Sequence, residues 1–450
     1  LDQNHIDLAL DEVRAALEAG QVLDAIAALI RLHPADRAEA FSDLNDEDQA
    51  ALLPRLDIPT MADLLEELED DEAADVAEEL PTERLADVLD EMEPDEAADV
   101  LGDLPPKRVA EALAEMEDAN DVIPLLGYPD ETAGGLMTTS YIALRPHTTA
   151  KQAISFLREV SPEEETPYYL NVIDRDRRLV GIVGLRELVI AEPDTMIEDF
   201  MDPNVIHANT DTDQEEVARL MVRYDLAALP VVDHSRVLKG VVTYDDLMDV
   251  LEEEATEDIY LLANVSDPDL SIDSSIGLSI RRRLPWLYLN TLTAFFASWV
   301  ISQFESIIAQ VAVLAVFLSV VAGLGGNSAT QSLAIIVRAI ALGELEIHEA
   351  WKTILKEATV GLLQGISVGV VAGLGVYLWK GNAVMGVILG LALAGNILVA
   401  GIIGSLVPVL LKALRLDPAL ASSVLVTAVT DSVGFALFLT LAVIFLPHLR

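Results

Sequence analysis

Apolar and polar positions divide the chain into three regimes. Residues 1–130 set apolar residues at helical spacing among acids, broken at regular intervals by Leu-Pro. Residues 131–245 carry short runs rich in Val and Ile between amphipathic stretches. Beyond residue 280 come apolar runs at about 284–302, 307–342, 358–379, 384–411 and 419–446. Each reaches the roughly 20 residues that cross a bilayer. The second is too long for one straight span and is expected to break at 323–331, Gly-Leu-Gly-Gly-Asn-Ser-Ala-Thr-Gln. Irregular backbone at that depth is tolerated only when buried in protein or lining a wet cavity. Gly325, Gly326 and Asn327 are therefore candidate pore-lining positions.

The first regime is an internal repeat. Asp71-Glu72-Ala73-Ala74-Asp75-Val76 returns 24 residues later as Asp95-Glu96-Ala97-Ala98-Asp99-Val100, and Leu80-Pro81 returns as Leu104-Pro105. Such a period predicts short helix pairs stacked into a superhelix. Each Pro suits the first turn of the next helix, where its missing N–H is not needed. Most acids here form a solvated face, but Asp95 and Asp99 share one face and can hold a cation jointly with another domain.

A turn-rich stretch at 127–135 opens the second regime. A helix at 148–160, strands at 168–173 and 179–183 and a helix start at 186–190 recur as 212–224, 228–232, 238–242 and the run from 245. The clearest echo sets 179–188 against 238–247, 59 residues apart. From Asp245 to Asp258 an acidic amphipathic helix leads towards the membrane. Like charges one turn apart repel; either the helix is simply solvated, or it is a divalent-ion sensor in which Mg²⁺ bridging these acids to acids of neighbouring domains would lock a compact arrangement.

Charge sharpens the division. Of 28 Lys and Arg and 75 Asp and Glu, ten basic and seven acidic residues fall in 281–450, leaving 18 basic and 68 acidic in 1–280. So acidic a soluble half repels nucleic acid and concentrates cations; a halophile's acidic surface is the competing reading. There is no cysteine, and the seven histidines are scattered. Any metal is then oxygen-bound, which favours Mg²⁺, Ca²⁺ or Mn²⁺. The start is polar and carries no leader pattern. Arg281–Arg283, Arg338, Lys352, Lys356, Lys412 and Arg415 fall on one side of five spans, with Lys380 and Arg450 opposite. The positive-inside rule then puts the soluble half in the cytosol and the protein in the cell membrane.

Inside the last run stands one acid, Asp431. A charge at mid-depth costs roughly 2.5–3.5 kcal/mol even on the lenient insertion scale. Ser423, Thr427 and Asp431 are spaced four apart and line one helix face, as a cation path requires; a protonated structural acid is the alternative. Gly361, Gly365, Gly369 and Gly373, with Gly386 and Gly390, are small residues that let helices approach closely.

The repeated helix-strand-strand-helix units resemble tandem cystathionine-β-synthase (CBS) domains. That resemblance implies a regulatory, commonly dimeric pair that often binds adenosine nucleotides. Gly240, Thr243 and Asp246 keep the family's pattern in the second unit, where hydroxyl and carboxylate would hold ribose; the first unit has Gly184 and Glu187 instead. The whole chain resembles the MgtE family of magnesium channels and transporters. The matches are Ala133-Gly-Gly-Leu-Met-Thr138, 210–221, Glu254-Ala-Thr-Glu-Asp-Ile259, Gly323-x-Gly-Gly-Asn327 and Asp417-Pro-Ala-Leu420 with Asp431.

The resemblance implies a multidomain α plus α/β membrane protein: an α-helical superhelix (1–130), a tandem CBS pair (131–245), an acidic connecting helix (246–280) and five transmembrane helices (281–450). It implies a homodimer with Asp431 facing hydrated Mg²⁺, and closure by cytosolic Mg²⁺ on Asp95, Asp99, Asp213, Glu215, Asp225, Asp246, Asp249, Glu254, Glu257 and Asp258, with Asp417 at the mouth. ATP is a possible regulatory ligand. Ser319, Gly401, Ser423 and Thr427 depart from the family pattern. The expected function is Mg²⁺ import down its electrochemical gradient. The alternatives are another divalent cation (Mn²⁺, Co²⁺), a proton-coupled solute, or a membrane-tethered nucleotide sensor. No phosphate loop, nucleophile elbow or zinc motif points to an enzyme.

Overall fold

The computed structural model describes residues 3–160, 169–265, 270, 274–345, 348, 350–420 and 422–449. The chain forms two compact units, Leu1–Val250 and Leu251–Arg450.

The first unit opens with helices α1 (Gln3–Glu18), α2 (Val22–Leu29), α3 (Pro34–Ser42), α4 (Asp46–Leu52), α5 (Ile58–Leu65), α6 (Asp70–Glu79), α7 (Thr82–Leu89), α8 (Pro94–Asp103), α9 (Pro106–Glu115) and α10 (Ala119–Val122). Alternate helices pack on each other, α5 on α7, α6 on α8 and α7 on α9, as a superhelix requires. Pro34, Pro94 and Pro106 stand in first turns. Pro81 and Pro105 stand one place earlier than expected, as extended N-cap residues. The repeat also places an arginine at the same point of successive units. Arg84 donates to Pro54 O at 3.0 Å, and Arg108 to Thr82 Oγ1 at 2.7 Å and Ala77 O at 3.3 Å, so each satisfies polar groups of the layer before.

Two three-stranded sheets follow. β1 (Ala143–Leu144), β2 (Tyr169–Ile173) and β3 (Leu179–Gly184) form the first; β4 (Ala208–Asn209), β5 (Ala228–Val232) and β6 (Leu238–Thr243) the second. In each, the first pair is parallel and the second antiparallel. The expected strand start at Tyr168 lies outside the described residues. Helices α11 (Ala150–Val160), α12 (Leu185–Ile190) and α13 (Gln214–Tyr224) flank them. The 59-residue echo is a structural two-fold: Leu179 N donates to Arg236 O, and Leu238 N to Arg177 O. Asp174 and Asp233 cap the matching turns, each accepting two backbone N–H bonds at 2.8–2.9 Å. Helix α14 (Tyr244–Leu262) is the expected acidic helix.

Among the described residues five further helices are long and apolar enough to cross a membrane: α15 (Ile276–Ser302), α17 (Val313–Ala341), α18 (Ala350–Lys380), α19 (Ala383–Ala413) and α20 (Ser422–Ile444). Short helices α16 (Glu305–Gln310) and α21 (Leu446–Leu449) complete the second unit. The break expected at 323–331 is not there: α17 runs through it, and the interruption falls at 311–312, between α16 and α17. A helix satisfies its own backbone in lipid, and glycine suits position 325 because a neighbouring side chain occupies the space a Cβ would need. Backbones of α18 and α19 touch along the glycine ladder. A Cβ at Gly361 would stand 2.7 Å from Ile397 O, and one at Gly365 2.8 Å from Ala394 O.

Candidate functional site

Acids of α8 and α14 gather in the first unit. Asp95 is buried, 6% exposed, and its Oδ1 has no hydrogen-bond partner among the described residues. Burial and then the nearby Asp246 push its carboxyl up to about 8, with a Thr138 hydroxyl contact opposing the rise. Burial, then Asp95, raise Glu93 to about 8. The same two causes, with Asp99 next, raise Glu96 to about 9. Asp99 keeps an open face to solvent, yet the protein around it, then Asp70, Asp130 and Asp103, raise it to about 7. Asp246 stands at about 6, raised by burial and then Asp245, while Thr243 N (2.7 Å) and Thr243 Oγ1 (2.9 Å) donate to its Oδ2. Among the described residues none of these five acids forms an ion pair with Lys or Arg. Burial and mutual repulsion thus disfavour ionising these carboxylates together. The cluster is not a finished coordination shell: among the described residues no three Asp, Glu or His stand ready to hold one ion.

The other expected acids are dispersed. Asp213 caps α13, accepting from Glu215 N at 3.0 Å, and Glu215 pairs with Arg219 at 3.4 Å. Asp225 ends α13 in a left-handed conformation, φ 50°. Asp249, Glu254 and Glu257 lie along α14. Asp258, in the second unit, is pushed up to about 6 by burial, then by Asp417 and Glu254. Asp417 Oδ1 accepts from Ala419 N at 2.5 Å and so fixes the chain before α20. Glu93 and Glu96 were not foreseen, because the repeat makes them look like ordinary surface acids.

In the membrane unit Asp431 is half-buried, and among the described residues no charged or hydrogen-bonding side chain stands beside it. Thr427 is exposed and Ser423 partly so, whereas Thr430 and Gly434, on neighbouring turns of the same side of α20, are buried. Of the stripe Thr427 is exposed, while Ser423 and Asp431 are half-buried. Ser423 Oγ donates to Asn264 Oδ1. Asn327 is exposed and Gly326 partly so, but Gly325 is buried against Asn396 and lines no open face. A second membrane carboxylate, Glu357, is buried on α18 and accepts from Ser332 Oγ at 2.8 Å. It escaped notice because the apolar run begins one residue later, whereas α18 begins at Ala350.

A cavity of about 230 Å³ opens between the CBS sheets, lined in part by Tyr169, Asn171, Asp202, Asn204 and Pro230. Thr243 and Asp246 are not among its lining residues; they bond each other at the start of α14.

Residues 318–441 match the MgtE divalent cation transporter family, 32–131 the MgtE intracellular N domain, and 133–194 and 197–253 the CBS domain. The chain is 40% identical over 323 residues to the magnesium transporter MgtE of Thermus thermophilus, covering 72% of each chain. It is 35% identical over 331 residues to that of Enterococcus faecalis, covering 74% of this chain and 73% of the relative. The cytosolic domain of the Mg²⁺ channel MgtE, solved in complex with ATP, superposes with a TM-score of 0.51 at 36% identity, covering 54% of this chain and 99% of that one. These relatives are transporters and channels, not enzymes. With its helical N domain, CBS pair and five apolar helices, the chain belongs to the MgtE family of magnesium transporters.

Proposed function

We propose that this protein is a self-regulated Mg²⁺ channel, a homodimer in the cell membrane with its first unit in the cytosol. Asp431 carries the reading: a half-buried carboxylate on the Ser423–Thr427–Asp431 stripe of α20, with no cationic neighbour among the described residues. Two copies facing each other would attract Mg²⁺ with much of its water shell intact, since this ion dehydrates reluctantly. Asn327, Thr427 and Ser423 offer hydrogen-bonding groups to that shell.

Closure belongs to the cytosolic acids. Mg²⁺ on Asp95, Asp99, Glu93, Glu96 and Asp246 would displace the protons that burial and repulsion hold there. Asp249, Glu254, Glu257, Asp258, Asp417, Asp213, Glu215 and Asp225 are assigned to the same sensing role as separate weak sites. Moving a gate from 1:99 to 99:1 requires about 5.5 kcal/mol of differential binding, within reach of several weak sites acting together. The functional division is superhelix 1–130, CBS pair 131–245, connecting helix 246–280 and pore 281–450.

A second ligand is favoured by the CBS cavity, whose Tyr169, Asp202 and Asn204 offer a ring and polar groups. ATP would act there as a regulator. The deciding experiment is Mg²⁺ uptake by the reconstituted full chain, with Mg²⁺ varied on each side separately. Flux that falls steeply with cytosolic Mg²⁺ supports the reading. Flux of Mn²⁺ or Co²⁺ in preference to Mg²⁺, proton-coupled flux, or no flux at all would replace it.

A further inference from the structure

The membrane unit buries one amide at its centre. Asn396 on α19 is fully buried, and its Nδ2 donates to Val321 O of α17 at 3.0 Å. Its Oδ1 has no donor among the described residues. Two glycines shape its pocket. A Cβ at Gly325 on α17 would overlap Asn396 Nδ2. A Cβ at Gly434 on α20 would stand 2.6 Å from Nδ2 and 3.0 Å from Oδ1. Gly434 lies three residues beyond Asp431, and Gly325 adjoins Gly326 and Asn327. One amide therefore wedges together the two helices that carry the candidate permeation residues.

Stability alone does not account for this side chain. A buried carbonyl oxygen without a donor is costly, above all at membrane depth. The bond it does make goes to a carbonyl already engaged by the helical bond within α17. A leucine would fill a similar space with no orphaned acceptor. What the amide supplies is a flat spacer of fixed thickness, anchored at one end to α17 and pressed at the other on α20.

We propose that Asn396 is the positioning residue of the ion path, setting the depth and rotation of Asp431 against residues 325–327, and through them the discrimination of Mg²⁺ from larger divalent cations. The proposal rests on Asp431 as the permeation carboxylate. Mg²⁺ keeps a near-octahedral shell of fixed size, whereas Ca²⁺ accepts variable geometry and six to eight oxygens. Carboxylates held at one spacing select the fixed shell; a pore helix free to turn admits both.

The test uses the full chain in proteoliposomes, measuring Mg²⁺ and Ca²⁺ uptake against concentration, with Tm in parallel. For Asn396→Leu the Ca²⁺ to Mg²⁺ uptake ratio is expected to rise about fivefold or more, the effect of about 1 kcal/mol of lost discrimination, at unchanged or higher Tm. Gly434→Ala, whose methyl displaces the amide, should shift the ratio the same way. Asn396→Asp, isosteric and in its neutral form able to donate to Val321 O, should keep the wild-type ratio. If Asn396→Leu fails to assemble, Asn396→Ser is read in its place. An unchanged ratio overturns the proposal, as does loss of flux and Tm together at constant ratio. Asp431→Ala separates the two readings. Continued uptake in that variant removes the permeation assignment, whereas lost uptake there with a wild-type ratio in Asn396→Leu removes the wedge alone.

Discussion

Ser423 Oγ donates a 2.8 Å hydrogen bond to Asn264 Oδ1, tying the first turn of α20 to the end of α14. Asn264 stands in a left-handed conformation, φ 62°, and Val265 N closes onto Tyr260 O at 2.8 Å, a helix-ending motif that tolerates Asn or Gly. Asn264→Gly therefore keeps the cap and deletes only the bond to Ser423. A bond of this kind contributes about 1 kcal/mol net. The variant, and Ser423→Ala with it, should shift the gate about fivefold towards open at high cytosolic Mg²⁺. The double variant should add nothing further, since both remove one interaction. Unchanged inhibition in either would rule the bond out of closure.

Asp431→Ala should abolish Mg²⁺ uptake without lowering Tm. Removing a carboxylate from mid-membrane relieves roughly 2.5–3.5 kcal/mol on the insertion scale. Normal uptake by a well-assembled Asp431→Ala protein would sink the pore assignment.

Glu93, Asp95, Glu96, Asp99 and Asp246 titrate in the folded chain at about 8, 8, 9, 7 and 6. Their unfolded counterparts titrate near about 4. Between those limits the folded state binds more protons, so Mg²⁺-free stability is greatest at the acid end and falls as pH rises through the window. Mg²⁺ competes with those protons, so its stabilisation grows with pH. Thermal unfolding at about pH 6 and about pH 9, with and without Mg²⁺, should show a gap that widens at the higher pH. A gap that narrows would mean the ion binds elsewhere.

Asp95→Asn should mimic neutralisation. Above about pH 8, where Asp95 would otherwise ionise, it removes a buried charge and its repulsion with Asp246, so at about pH 9 the Mg²⁺-free Tm should rise by a few degrees, about 2–4 °C per kcal/mol, and Mg²⁺ should raise it less than in wild type. Asp246→Ala with Asp249→Ala should weaken inhibition of flux by cytosolic Mg²⁺. Inhibition curves that coincide with wild type would count against the sensor.

Much of the architecture was legible because repeats and membrane spans are one-dimensional signals. The 24- and 59-residue periods announced the superhelix and the CBS two-fold, and five apolar runs became five helices. What escaped depends on partners distant in sequence. The glycines of 323–331 read as a break, but Gly325 is there to admit Asn396, which packs beside it from α19, and α17 runs on. Strands β1 and β4 have two residues each, too few to show an alternation. Acidic neighbours of Asp95 read as solvated until α14 is folded beside them. Glu357 lay just outside an apolar run and inside its helix.

The glycine ladder has a mechanical consequence. Over four steps, from Gly361 to Gly373, α18 meets α19 backbone to backbone, with no side chains between them to act as bearings. Sliding one past the other would drive carbonyl oxygens into Cα atoms at every rung. The pair is therefore the stator of the membrane unit. Any stroke that opens or shuts the path must be taken up by α20, which carries Asp431, and by the sparsely buried α15.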